Sequence, residues 1–314
     1  MTSKTAILAL AGAAGLALTA ASAQAQTITS TDGKYTAGIS NQGEVYNSGV
    51  GLSRNSDGFD PIAAGIGRDS WGVSTNLGYA YADASYYGLK NTTSVQSVYA
   101  GSAAVTISSS TIAGLFITQT FTFLQSNVLV DYVTLLNNSG AALTDVQFQR
   151  NVDFDVAPTA FNENTFANSI TGPTDVVDSS YNGFENPNPQ IAYSDSCAAG
   201  CNQTGDVGAG IKVSVGTIAA GGSASFEYFY GDNQTGQDVN GLISQVVGDG
   251  ANYWVATQSS ENGAYPLLGS NSAILAVEAV PEPSTWAMLG LGFAGLGFAG
   301  YRGRKSRGSV AIAL

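Results

Sequence analysis

Leu143-Thr144-Asp145-Val146-Gln147-Phe148-Gln149-Arg150-Asn151-Val152-Asp153-Phe154-Asp155-Val156 carries the clearest strand pattern in the chain. From Asp145 onward polar and apolar side chains alternate with a period of two, the repeat of a β-strand. Val146, Phe148, Val152, Phe154 and Val156 share one face with Arg150, and Asp145, Gln147, Gln149, Asn151, Asp153 and Asp155 share the other. The first face is expected in a core and the second in solvent. Arg150 interrupts the apolar face, and an unpaired buried charge is very costly, so it needs a partner. Asp131, on the preceding strand, is the expected one, reached across the turn Asn137-Asn138-Ser139-Gly140.

Working outward, strand signals recur. Leu115 to Leu124 and Val128 to Leu136 are rich in β-branched and aromatic residues. Ile211 to Val215 and Ala224 to Tyr230 flank the turn Ala219-Ala220-Gly221-Gly222-Ser223, and Ile274 to Val277 is a late strand. Earlier, Trp71 to Val73, Tyr79 to Tyr87 and Val95 to Tyr99 read the same way. One segment differs. Val239, Leu242, Ile243, Val246 and Val247 recur at helical spacing, with Asp238 as N-cap and Gly248 as the residue past the end. The expected fold is all-β, an antiparallel β-sandwich, enlarged if every signal is used, with one short helix near 238–247. Gly172-Pro173 and Asn186-Pro187-Asn188-Pro189 mark loops in a turn-rich stretch over 157–206.

The composition limits function. The chain has 314 residues, of which 44% are hydrophobic and 11% charged, enough for a real core. There is no histidine, which removes Ser-His-Asp and Cys-His nucleophile systems and most zinc enzymes. Residues 26–279 hold six basic and 22 acidic side chains, a net charge of −16. Such a surface repels phosphate backbones, so no nucleic-acid partner is expected.

Both ends read as targeting segments. Lys4, the apolar run Ala6 to Ala20 and Ala23-Gln24-Ala25 form a secretory signal, with cleavage expected after Ala25 by signal peptidase following Sec translocation. At the other end come Val280-Pro281-Glu282-Pro283-Ser284, an apolar Gly-rich stretch from Trp286 to Tyr301, and the basic cluster Arg302, Arg304, Lys305 and Arg307. Sixteen helical residues span about 24 Å, slightly short of a hydrocarbon core of about 30 Å. The basic cluster acts as a cytoplasmic stop, making 286–301 a single transmembrane helix.

These three parts in this order resemble the PEP-CTERM sorting signal, also called the ice-binding protein C-terminal motif. The resemblance covers residues 280–307, with 308–314 as an extension beyond the usual end. It implies an exosortase, a membrane-embedded cysteine transpeptidase, cutting near Pro281-Glu282-Pro283. The body would then be held transiently at the inner membrane and passed to the cell surface or the medium. Leu143 to Val156, and Val215 to Ser223 with its following aromatic strand, are similar to segments of other exported PEP-CTERM proteins. That likeness implies a β-sandwich over 26–279 and assigns no activity.

Within the body, Asp153 and Asp155, with Asn162 and Glu163 close in sequence, offer oxygens suited to Ca2+ or to sugar hydroxyls, against an ordinary solvated strand face. No other cofactor is expected. Cys197 and Cys201 are the only cysteines, and in an exported protein a local disulfide is the default. The leading expectation is a non-catalytic surface or biofilm-matrix protein, in contact with exopolysaccharide. A carbohydrate-binding module using Trp71, Tyr79, Tyr81, Tyr86 and Tyr87 is the alternative. A carboxylate-based glycosidase is a weaker reading, because no spacing selects an acid pair. Ice binding is weaker too, because Thr118, Thr120 and Thr122 make only one short row.

Overall fold

The computed structural model describes residues 26–83, 88–100, 102–171, 175–234, 237–260 and 271–278. The signal with Ala23 and Ala25, the sorting motif, the helix at 286–301, the basic cluster, the 308–314 extension, and Tyr86 and Tyr87 lie outside the described residues. No described helix is long and apolar enough to cross a membrane.

The described strands are β1 (Gln26–Thr29), β2 (Tyr35–Ile39), β3 (Leu52–Arg54), β4 (Asp69–Thr75), β5 (Gly78–Asp83), β6 (Leu89–Lys90), β7 (Thr92–Ala100), β8 (Ala103–Ser110) and β9 (Leu115–Gln125). They continue with β10 (Val128–Asn137), β11 (Leu143–Asp153), β12 (Glu163–Ser169), β13 (Val176–Ser180), β14 (Ala199–Gly205), β15 (Gly208–Ile218), β16 (Ser223–Asp232), β17 (Tyr253–Gln258) and β18 (Ser272–Glu278). Nine form a sheet in the order β14-β12-β17-β18-β16-β10-β9-β8-β7, and six form a second, β13-β15-β11-β4-β5-β6. β1, β2 and β3 make a small third sheet. The fold is therefore an enlarged antiparallel sandwich, as the alternation predicts. Its core holds Trp71, Phe148 and Val152 from the six-stranded sheet, and Phe121, Leu129, Tyr228 and Leu275 from the nine-stranded one. Ile28, Ile39 and Leu52 of the small sheet join the same core.

The helix α1 (Val239–Asp249) packs Val239, Leu242 and Val246 onto the outer face of the nine-stranded sheet, against Val128, Val130, Phe229, Ile274 and Ala276. Asp238 caps it, accepting from the Gly241 amide at 2.8 Å. The helix runs past Gly248 and is capped by Gly250, whose amide reaches back to Val246 and Val247. Val247 therefore turns outward, at 48% exposure, and leaves the predicted apolar face.

Two expectations are corrected. First, β10 and β11 are not hairpin partners. β10 pairs with β9 and β16, whereas β11 pairs with β4 and β15. The chain crosses between sheets at 138–142 because each strand buries one apolar face, and facing each other across the core satisfies both. Asn137 ties this corner to the matching crossover at 219–222, donating to the carbonyls of Ala141, Ile218 and Ala219.

Second, the polar face of β11 is not solvated. Gln149, Asn151, Asp153 and Asp155 are all buried. The segment 181–193 folds over them as a third layer. Gln149 donates to the Asn186 carbonyl at 2.6 Å, and Lys212 donates to Ile191 at 2.8 Å under the Tyr193 ring. Arg68 clamps Asp83 and donates to the carbonyls of Gly183 and Glu185. The approach depends on Gly72, where a Cβ would lie 1.8 Å from the Pro187 carbonyl oxygen.

Candidate functional site

β11 builds two acidic clusters, one on each face. On the inner face Arg150 projects between Phe148 and Val152 into the sandwich core. Its guanidinium pairs with Asp69 of β4 at 2.8 Å and with Asp131 of β10 at 3.1 Å. It also donates to Tyr230 Oη at 2.6 Å, Gln119 Oε1 at 2.7 Å and the Gly43 carbonyl at 2.6 Å. The Tyr230 hydroxyl in turn donates to Asp69 at 3.0 Å. The partner read from the sequence is right, but the pair spans the two sheets instead of a hairpin. Asp69, Gln119 and Tyr230 carry no local signal that would identify them as its companions.

Every member of this inner cluster is fully buried. Burial pushes the Asp131 carboxyl up to about 7, with Arg150 opposing the rise and Asp69 adding to it. Burial also raises Asp69, against the pull of Arg150. Burial works against the Arg150 charge as well, but Asp69, Tyr230 and Asp131 outweigh it and hold the guanidinium protonated. No substrate can reach these groups. They join β4, β9, β10, β11 and β16 and are structural.

The second cluster sits where β11 leaves its ladder. Asp153 and Asp155 share the covered face, at 3% and 2% exposure. Their amides donate to the carbonyls of Arg68 and Pro61, which fixes the backbone, but an oxygen of each carboxylate takes no hydrogen bond from any described residue. Glu163, at the start of β12, accepts from the amides of Val156 at 3.0 Å and Phe161 at 2.6 Å through Oε1, while its buried Oε2 is left without a described partner. Continuing the β11–β15 register two residues past the Asp153–Gly208 pair sets Asp206 level with Asp155.

Burial and then Asp155 push the Asp153 carboxyl up to about 8. Burial and Asp206 push Asp155 to about 6, and burial raises Glu163 to about 7. Beside them stand two exposed apolar side chains, Ile66 at 59% and Phe161 at 55%. Phe161 has φ +71°, a left-handed conformation uncommon for an aromatic residue. Among the described residues, no group of three or more His, Cys, Asp or Glu side chains is arranged to hold a metal ion.

The remaining candidates separate. Trp71 is fully buried, stacked on Phe148 at 5.7 Å with its indole donating to the Gln42 carbonyl, so it belongs to the core. Tyr79 and Tyr81 stack at 6.2 Å on the outer face of β5, and Tyr79 is 40% exposed. Thr118, Thr120 and Thr122 lie on the outer face of β9, beside Thr134 and Tyr132 of β10. Asn162 is exposed and offers its carbonyl to Ser260. Cys197 and Cys201 are joined in a disulfide with Cα atoms 5.0 Å apart, beside the edge strand β14.

Behind the last residue of β18, Glu278, residues 279–305 match the PEP-CTERM protein-sorting motif. The chain carries a PEP-CTERM sorting signal. This signal implies export and processing by an exosortase, as the residues of the tail suggest. No curated protein matches the chain. Among solved structures it is similar to a polysaccharide lyase at 11% identity and a TM-score of 0.32, over 83% of this chain and 43% of that one. The chain thus spans less than half the length of that protein.

Proposed function

We propose that this exosortase substrate is a non-catalytic surface or extracellular-matrix protein. In this reading the sandwich is delivered across the inner membrane, held there by the tail, cut near Pro281 to Pro283, and left at the cell surface or within exopolysaccharide. The observation that carries it is the sorting-motif match beginning one residue after β18 ends. A folded body joined so directly to a sorting signal is cargo for that signal. The acidic composition of 26–279 suits a hydrated, polymer-rich surrounding. Asp69 and Asp131, two of the strongly perturbed carboxyls, are enclosed around Arg150, which supports a structural role for them.

Deleting the exosortase and locating the full chain tests the sorting step. Retention of uncut protein in the inner membrane is expected, and unchanged release would overturn it. A second reading, carbohydrate binding, is favoured only by the exposed Tyr79–Tyr81 stack, since flat aromatic faces suit sugar rings. A glycan array with the protein and a Tyr79→Ala variant separates the two. Binding lost in the variant supports a lectin-like body, and no binding supports an inert matrix component.

A further inference from the structure

We propose that Asp153 and Asp155 hold a divalent cation, Ca2+, at the end of the sandwich where β11 leaves its sheet. The inference goes beyond the sorting role and is independent of it.

The argument begins with charge. Buried carboxylates are retained when a cation or hydrogen-bond donors compensate them. Arg150 does this for Asp69 and Asp131. At the outer cluster no described salt bridge reaches Asp153, Asp155 or Glu163, and the nearest guanidinium, Arg68, is already forked onto Asp83. All three acids are at least 97% buried, and each keeps an oxygen without a described hydrogen-bond donor. The orphan Oε2 of Glu163, on a strand of the opposite sheet, is an observation separate from the Asp pair.

Space is reserved there as well. A Cβ at Gly65 would lie 2.5 Å from Asp155 Oδ2 and 2.7 Å from the Phe161 ring, so only glycine leaves that carboxylate open. Gly65 itself sits at φ +62°. Phe161, held in its left-handed conformation, and Ile66 stand exposed beside the opening. Backbone strain of this kind collects at ligand sites.

The donors select the ion. They are hard oxygens with no sulfur or imidazole, which suits Ca2+ or Mg2+ over transition metals. Because no three acids converge, the side chains supply two carboxylates, and water and main-chain oxygens complete the shell. Ca2+ tolerates such an irregular set of six to eight oxygens, whereas Mg2+ demands a strict octahedron. Two carboxylates correspond to the weak end of Ca2+ sites, with Kd about 10⁻⁴–10⁻³ M, the range of extracellular modules.

The test uses the full chain freed of metal with a chelator. Equilibrium dialysis is expected to give one bound Ca2+ per chain. Thermal unfolding in about 10 mM CaCl2 is expected to rise by roughly 3–10 °C over a NaCl control of equal ionic strength, and by less in MgCl2. Asp153→Asn and Asp155→Asn keep side-chain shape and should each weaken binding by about tenfold or more. Wild-type protein that binds no Ca2+ and unfolds at the same temperature with and without it overturns the proposal, whatever the variants do. Undiminished binding in both variants also overturns it, by placing the ion elsewhere.

Discussion

Arg150 and Asp153 are three residues apart on one strand, yet their surroundings handle buried acid in opposite ways. On the inner face, two carboxylates share a guanidinium and a tyrosine hydroxyl. On the outer face, Asp153 and Asp155 are as deeply covered but have no positive partner. Removing charges from water costs several kcal/mol per ion, and good pairing offsets that only when its geometry is complete. The inner cluster brings its own cation and is finished by folding. The outer cluster is not, so its compensation must come from solution, as protons or as a metal ion. Burial alone therefore does not mark a functional site, whereas burial without a partner does.

The contrast can be broken first at Arg150. Arg150→Met leaves Asp69 and Asp131 buried with no cation and is expected to destabilise by about 3–5 kcal/mol in urea unfolding. Neutralising all three groups together, as Arg150→Met with Asp69→Asn and Asp131→Asn, should restore much of that loss. If it does not, packing and not charge dominates the inner cluster.

The next test uses pH. The folded-state pKa of Asp131, about 7, lies above its ordinary 3.8, so the folded protein binds the proton more tightly. Its contribution is complete below pH ~4 and is lost as pH rises through ~7. Wild type should therefore lose stability against Asp131→Asn between pH 5 and 8, by about 2–3 kcal/mol. A constant difference across that range would show Asp131 ionised throughout.

Gly65→Ala sharpens the outer half. A methyl group at positive φ, pressed toward Asp155, should cost about 1–2 kcal/mol by chemical denaturation. The smallest effect is expected at Asp153→Asn in chelator. Removing one like charge from a cluster without a cation should leave stability within about 1 kcal/mol of wild type, or raise it. A loss of several kcal/mol there would mean that Asp153 has a partner the comparison lacks.

Much of this was legible in the sequence. The alternation through Phe148, Arg150 and Val152 gave β11, and the single guanidinium on its apolar face demanded an acid, correctly Asp131. Asp153, Asp155 and Glu163 stood out as oxygens grouped within eleven residues. Asp206 and Gly65 did not, because only the β11–β15 register and the return of the 61–68 segment bring them close. The solvated face expected for Gln149 and Asn151 failed because its cover, 181–193, is itself polar and turn-rich. Such a segment gives no hydrophobic sign that it will bury anything.

By itself the sequence determined the class of fold, the helix near 239–249 and the sorting signal, because each is written in local order: a period of two, a period of 3.6, or consecutive motif parts. The tertiary structure alone decided that β10 and β11 face each other across the core, and which acids on β11 have a cation. Both depend on residues 19 to 81 positions apart, such as Asp131 and Asp69 from Arg150. Local pattern states that a side chain is buried or paired, but only the closing of one sheet on another states by what.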